Sequence, residues 1–151
     1  MKKLFIASSA ELRSERMEIV DLIQDLNEEM RGRHTKCIPV LWEYLDSSMG
    51  VKRKEDDYLD KLRECEVCFT LFWRTLGEYT LEELDVAVKE MRAGRLPKQV
   101  YVLYKEPANS ISRELMSFKD SFSKKYHDVT SYQFDNAKTL RAIVTNILCS
   151  K

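Results

Sequence analysis

Five short apolar runs alternate with five longer amphipathic segments along this chain, and that alternation constrains the fold more than any other feature. The runs are KLFIA, CIPVLW, VCFTLFW, QVYVLY and VTSYQF, each of a length and β-branched or aromatic content that suits a buried strand. Between and after them apolar residues recur at helical spacing. Leu12, Ile19, Val20, Ile23, Leu26 and Met30 mark a first helix over 10–31, closed by Gly32. Tyr58, Leu59 and Leu62 mark a second over 53–65. Leu84, Ala87, Val88 and Met91 mark a third, from Thr80 to about Arg92, closed by Gly94. Leu115, Phe118 and Phe122 mark a fourth over 111–126, and Leu140, Ile143, Val144, Ile147 and Leu148 a fifth. Strand–helix repetition of this kind implies a parallel sheet with helices on both faces. The expected α/β architecture is flavodoxin-like, with strand order 2-1-3-4-5 and a switch point between strands one and three.

A chain of 151 residues is enough for one domain with a sizeable core. It reads as a single domain over 1–151, either a whole protein or a module of a larger one. Basic and acidic residues balance at 25 each, which argues against nucleic acid as a partner. The segment LFIA is too short for a secretory core or a membrane span, so the expectation is a soluble, cytoplasmic chain.

Cys65 and Cys68 form a CxxC, but one closes a helix and the other lies in an apolar strand. Zinc needs further ligands at suitable spacing, and His34 and His127 stand alone. With Cys37 and Cys149 they are expected to be reduced core thiols, without metal. The scattered glycines build neither a P-loop nor a GxGxxG loop, and GxSxG and HExxH are absent.

Three segments converge on the carboxyl edge near the switch point, where ligands bind in open α/β sheets. After strand one, Ser8-x-x-Glu11 fits a capping box, and the backbone amides of the same loop suit an anion. Arg13 and Arg16 read as solvated helix residues that add positive charge. After strand two, Trp42 is either a core or rim residue or a surface for a planar ring, with Glu43 a solvated loop acid. After strand three, Trp73 ends the strand and Glu82 and Glu83 fall in the first turn of the third helix. Thr80-x-x-Glu83 also matches a capping box, so Glu83 is either a cap or a reagent. Glu83 lies one turn before the inward Ala87 and borders the buried face, whereas Glu82 points to solvent.

The opening LFIASSAELRSER resembles the start of TIR-like domains found at the N-termini of bacterial STAND-type ATPases and related multidomain proteins. The matching residues are Phe5-Ile6, Ser8-Ser9, Leu12 and Glu15-Arg16. GEYTLEELDVA, from Gly77 to Ala87, is similar to the family's second signature, and Glu83 matches the catalytic glutamate of TIR domains that hydrolyse NAD. The stretch LDSSMGVKRK lacks the aromatic and small-residue pattern of the family's loop after strand two. The resemblance implies an effector that cleaves the N-glycosidic bond of NAD, as substrate rather than cofactor, or of a related nucleotide. Glu83 would be catalytic, with Ser8, Ser9, Trp42 and Trp73 about the substrate and self-association as the trigger. It equally implies a non-catalytic interaction module in signalling. A glutamate on a flavodoxin-like sheet also resembles nucleoside deoxyribosyltransferases, where the carboxylate is a nucleophile.

Overall fold

The computed structural model describes residues 1–33, 35–41, 58–106 and 110–149. Five parallel strands form one sheet: β1 (Lys2–Ser8), β2 (Cys37–Val40), β3 (Val67–Phe72), β4 (Gln99–Lys105) and β5 (Thr130–Phe134). Their order is β2-β1-β3-β4-β5, so the expected flavodoxin-like topology is the one observed. The helices are α1 (Arg13–Glu29, preceded by a 3-10 turn over Ala10–Leu12), α2 (described over 58–62), α3 (Glu78–Arg92), α4 (Arg113–Lys125) and α5 (Ala137–Cys149). Trp42, Glu43, the LDSSMGVKRK stretch and the start of the second predicted helix lie outside the described residues.

Alternation along the central strands splits the core into two layers. Phe5 and Ala7 of β1 and Cys68 and Phe72 of β3 pack with Tyr58, Leu62, Leu84, Ala87, Val88, Leu115 and Phe118 of α2, α3 and α4. Leu4 and Ile6, with Val67, Phe69 and Leu71, pack instead with Ile19, Ile23, Leu140 and Val144 of α1 and α5. β3 is central and covered on both faces, so all six of its residues are buried, as a continuous apolar run requires. At the sheet's edge β5 keeps only Phe134 buried.

Polar contacts tie the helices to one another. Arg141 of α5 reaches Glu18 at 3.0 Å and Asp25 at 2.8 Å on α1. Arg92 at the end of α3 forks onto Asp128 with two 2.9 Å bonds. None of the described helices is long and apolar enough to cross a membrane.

Candidate functional site

The carboxyl ends of β1 and β3 run side by side, with Ser8 paired to Leu71. The chain leaves β1 through Ser9 into the 3-10 turn, and leaves β3 through residues 73–77 into α3. This is the switch point, because β2 lies to one side of β1 and β4 lies beyond β3.

Neither predicted capping box forms. Ser9 precedes the 3-10 turn in extended conformation, but its side chain makes no capping bond. Glu11 turns away from Ser8 and accepts the backbone amide of Arg74 at 3.2 Å, which links the loops after β1 and β3. α3 starts at Glu78, two residues before the predicted cap, with Gly77 at its N-cap position. Gly77 has φ 72°, a left-handed conformation that glycine adopts without steric cost, and its carbonyl accepts the amide of Leu81 at 3.0 Å. Thr80 is therefore inside the first turn, 3 % exposed, and Glu83 falls in the second turn.

A Cβ at Gly77 would stand 3.2 Å from Thr80 Oγ1 and 3.7 Å from the Cβ of Ser9. Gly77→Ala is expected to cost about 1–2 kcal/mol from the left-handed backbone, with the threonine contact adding to it. Urea unfolding of the variant measures this, and an unchanged midpoint would show that α3 starts elsewhere.

Arg16 corrects the expectation of a solvated helix residue. It is 5 % exposed and donates to Ser8 Oγ and, at 2.8 Å, to the carbonyl of Ser9. The sequence carries a signal for this, since Arg16 follows Leu12 by four residues and precedes Ile19 and Val20 by three and four, on the inward stripe. The Ser8 hydroxyl is thus engaged by Arg16 and by the Ser9 carbonyl at 3.1 Å. Ser9 Oγ is buried with no hydrogen-bond partner among the described residues.

Trp73 does not share a layer with α3. It packs with the α1–α5 layer, because the strand alternation that sends Phe72 toward α3 sends its successor to the other side. Its ring is held by two cations, with the Arg74 guanidinium 3.9 Å and Lys105 Nζ 4.0 Å from the centroid. Lys105 also pairs with Glu15 at 2.6 Å.

Glu83 is 4 % exposed and sits beside Leu84 and Ala87 on the inward face of α3. Glu82 is exposed, as the spacing predicts. Glu83 is near enough to Cys68 on β3 to act on its thiol. Burial pushes the Cys68 pKa far up, the Thr70 hydroxyl opposes that shift, and the Glu83 charge adds to it. Cys68 Sγ and Thr70 Oγ1 are 3.6 Å apart. Thr70, Thr80 and Glu83 are the buried polar residues on the α3 side of the sheet among those described, with Cys68 beside Thr70. Cys37 and Cys65 are buried as well, whereas Cys149 is exposed, contrary to the expectation that all four cysteines are core thiols. Ser9 and Thr80 both lie close to Gly77, whereas Ser8, Arg16 and Trp73 belong to the other layer.

No family model matches the chain, and no curated protein matches it. Among solved structures, the flavodiiron protein from Giardia intestinalis overlays with a TM-score of 0.40 at 8 % identity. The overlay covers 95 % of this chain and 33 % of that one, so the chain spans about a third of that protein's length.

Proposed function

We propose that this chain is a TIR-like effector domain that cleaves the N-glycosidic bond of NAD or a related nucleotide, with Glu83 as the working carboxylate. The observation that carries this reading is the burial of Glu83 in the second turn of α3, on a helix that begins at the switch point. A capping role does not account for it, since α3 begins five residues earlier at Glu78. Glutamates are mostly exposed, so one buried beside Leu84, Ala87 and Cys68, on a helix that starts at the switch point, is a candidate functional group.

The chemistry suits a single acid. In NAD the bond from ribose C1′ to the pyridinium nitrogen breaks with its electron pair leaving on nicotinamide, which becomes neutral. No general acid is needed, unlike the two-carboxylate arrangement of ordinary glycosidases. Positive charge develops on the ribose, and a carboxylate in a low-dielectric setting stabilises it. Water then adds at C1′ and loses a proton to solvent.

The same burial gives the clustering trigger a physical basis. A carboxylate that is 4 % exposed is closed to substrate in the resting domain. The isolated protein is therefore expected to be nearly silent toward NAD, and display at high density on a scaffold to raise nicotinamide release per molecule. Equal specific activity in dilute and clustered forms would rule out assembly as the trigger.

The burial also favours a second reading, a non-catalytic interaction module in which Glu83 is a structural acid. NAD incubation at high protein density separates the two, since only the effector releases nicotinamide.

A further inference from the structure

A row of aromatic rings crosses the sheet and stops at its open edge. Phe69 of β3 stacks on Tyr101 of β4 with centroids 5.8 Å apart, and Tyr101 meets Tyr132 of β5 at 6.3 Å. Tyr132 is 37 % exposed, and among the described residues β5 pairs with β4 alone.

β5 also lacks the features that keep an edge strand from pairing. Such strands are ordinarily shielded by charged side chains, proline, a bulge or a covering element. Pro39 interrupts β2, at the other edge of the sheet. β5 reads TSYQF, without charge or proline, and Thr130, Ser131, Tyr132 and Gln133 are all exposed. Cavities open on both of its faces. Tyr101, Tyr132, Ile143 and Ile147 line one of 440 Å³ on the α5 side, and Phe122, Ser131 and Gln133 line one of 520 Å³ on the α4 side.

The backbone sets a register. The Phe134 carbonyl accepts the amide of Glu106 at 2.8 Å and so points toward β4. Alternate residues of a strand direct their peptide groups to the same side. Thr130 and Tyr132 therefore also face β4, while Ser131 and Gln133 turn theirs to the open edge. In an antiparallel pair centred on Tyr132, Ser131 of one copy lies opposite Gln133 of the other. Those two residues exchange both backbone hydrogen bonds, and the symmetry makes the pair twice. Tyr132 then faces its own copy at a non-hydrogen-bonded position, where side chains come closest, and the aromatic row continues into the second sheet.

Charge favours a second copy as the occupant. No residue of β5 is charged, so the pairing sets no like charges opposite one another within the strand. The flanks differ in sign, since α4 ends in Lys124 and Lys125 ahead of β5 and Asp135 follows it. Antiparallel pairing brings the basic end of each copy to the acidic end of the other.

We propose that two copies of this chain pair through their β5 strands, antiparallel about a two-fold axis at Tyr132, into one continuous sheet. The pairing does not depend on Glu83 or on NAD cleavage.

Sedimentation equilibrium of the full chain, over a concentration series into the hundreds of micromolar, tests the pairing. The expected result is a monomer–dimer equilibrium in the micromolar range, as suits a short strand pair. Ser131→Lys combined with Gln133→Lys sets lysine against lysine twice across the axis, and should raise the dimer dissociation constant at least about tenfold. Ser131→Lys combined with Gln133→Glu changes the same two exposed positions but sets opposite charges against each other. It should keep the constant within about threefold of the wild type. Circular dichroism shows whether both variants are folded. A wild type that stays monomeric throughout overturns the proposal and leaves the edge to a strand from another protein. A dimer that survives the lysine pair, or that the lysine–glutamate pair disrupts equally, overturns it too.

Discussion

Glu83→Gln should lower NAD turnover by the clustered domain on the order of a hundredfold or more, as other deletions of a charge-stabilising group do. Glutamine keeps the shape of the side chain and removes the charge that would face the ribose in the transition state. The loss is expected in kcat, because an interaction that strengthens as positive charge develops acts on the transition state more than on bound NAD. Glu82→Gln is the control. Glu82 is adjacent in sequence but exposed, and its loss should leave turnover unchanged. Far-ultraviolet circular dichroism and thermal melting establish that both variants are folded. An active wild type whose Glu83→Gln variant retained full cleavage would remove Glu83 from the mechanism. A wild type that stayed inactive when clustered would leave the interaction module as the function.

Phe69→Ala should cost about 3–5 kcal/mol of stability, the range for deleting a buried aromatic ring. Phe69 is fully buried in the central strand and stacks on Tyr101 with centroids 5.8 Å apart. It packs in the layer with α1 and α5 and faces covering helices that cannot close over a hole of that size. Domains of this size have only about 5–15 kcal/mol to lose, so the variant should unfold at much lower urea concentration. Tyr132 on the edge strand is the contrast, 37 % exposed, and Tyr132→Ala should shift the midpoint far less. Equal losses at the two positions would mean that β3 is not the centre of the sheet.

Much of the site was legible as location and little of it as geometry. The spacing of Leu84, Ala87 and Val88 was sufficient to turn Glu83 toward the sheet, because a helix repeats every 3.6 residues whatever packs against it. The start of that helix does not follow from the local motif. Thr80-x-x-Glu83 satisfies the pattern of a capping box, but Gly77 takes a left-handed turn that lets the helix begin earlier. Ser8-x-x-Glu11 fails for a related reason. Glu11 finds the amide of Arg74, 63 residues away in sequence, and a local motif cannot register a partner brought in by strand pairing. Residue type alone predicts a solvated Arg16, whereas its place on the inward stripe buries it.

The sequence by itself determined the order and type of the elements, and with them the flavodoxin-like sheet. Continuous apolar runs bury on two faces, periodic segments cover them, and right-handed crossovers leave few ways to connect the two. Only the tertiary structure decided which side of the sheet each edge residue serves. Glu83 and Thr80 are buried on the α3 side, whereas Trp73 lies in the opposite layer under Arg74 and Lys105. Successive residues of a strand point to opposite faces, so a shift of one residue at a strand's end moves a side chain from one layer to the other. The contact of Cys149 with Met30 likewise depends on how α1 and α5 pack side by side, over a separation of 119 residues that no local pattern spans.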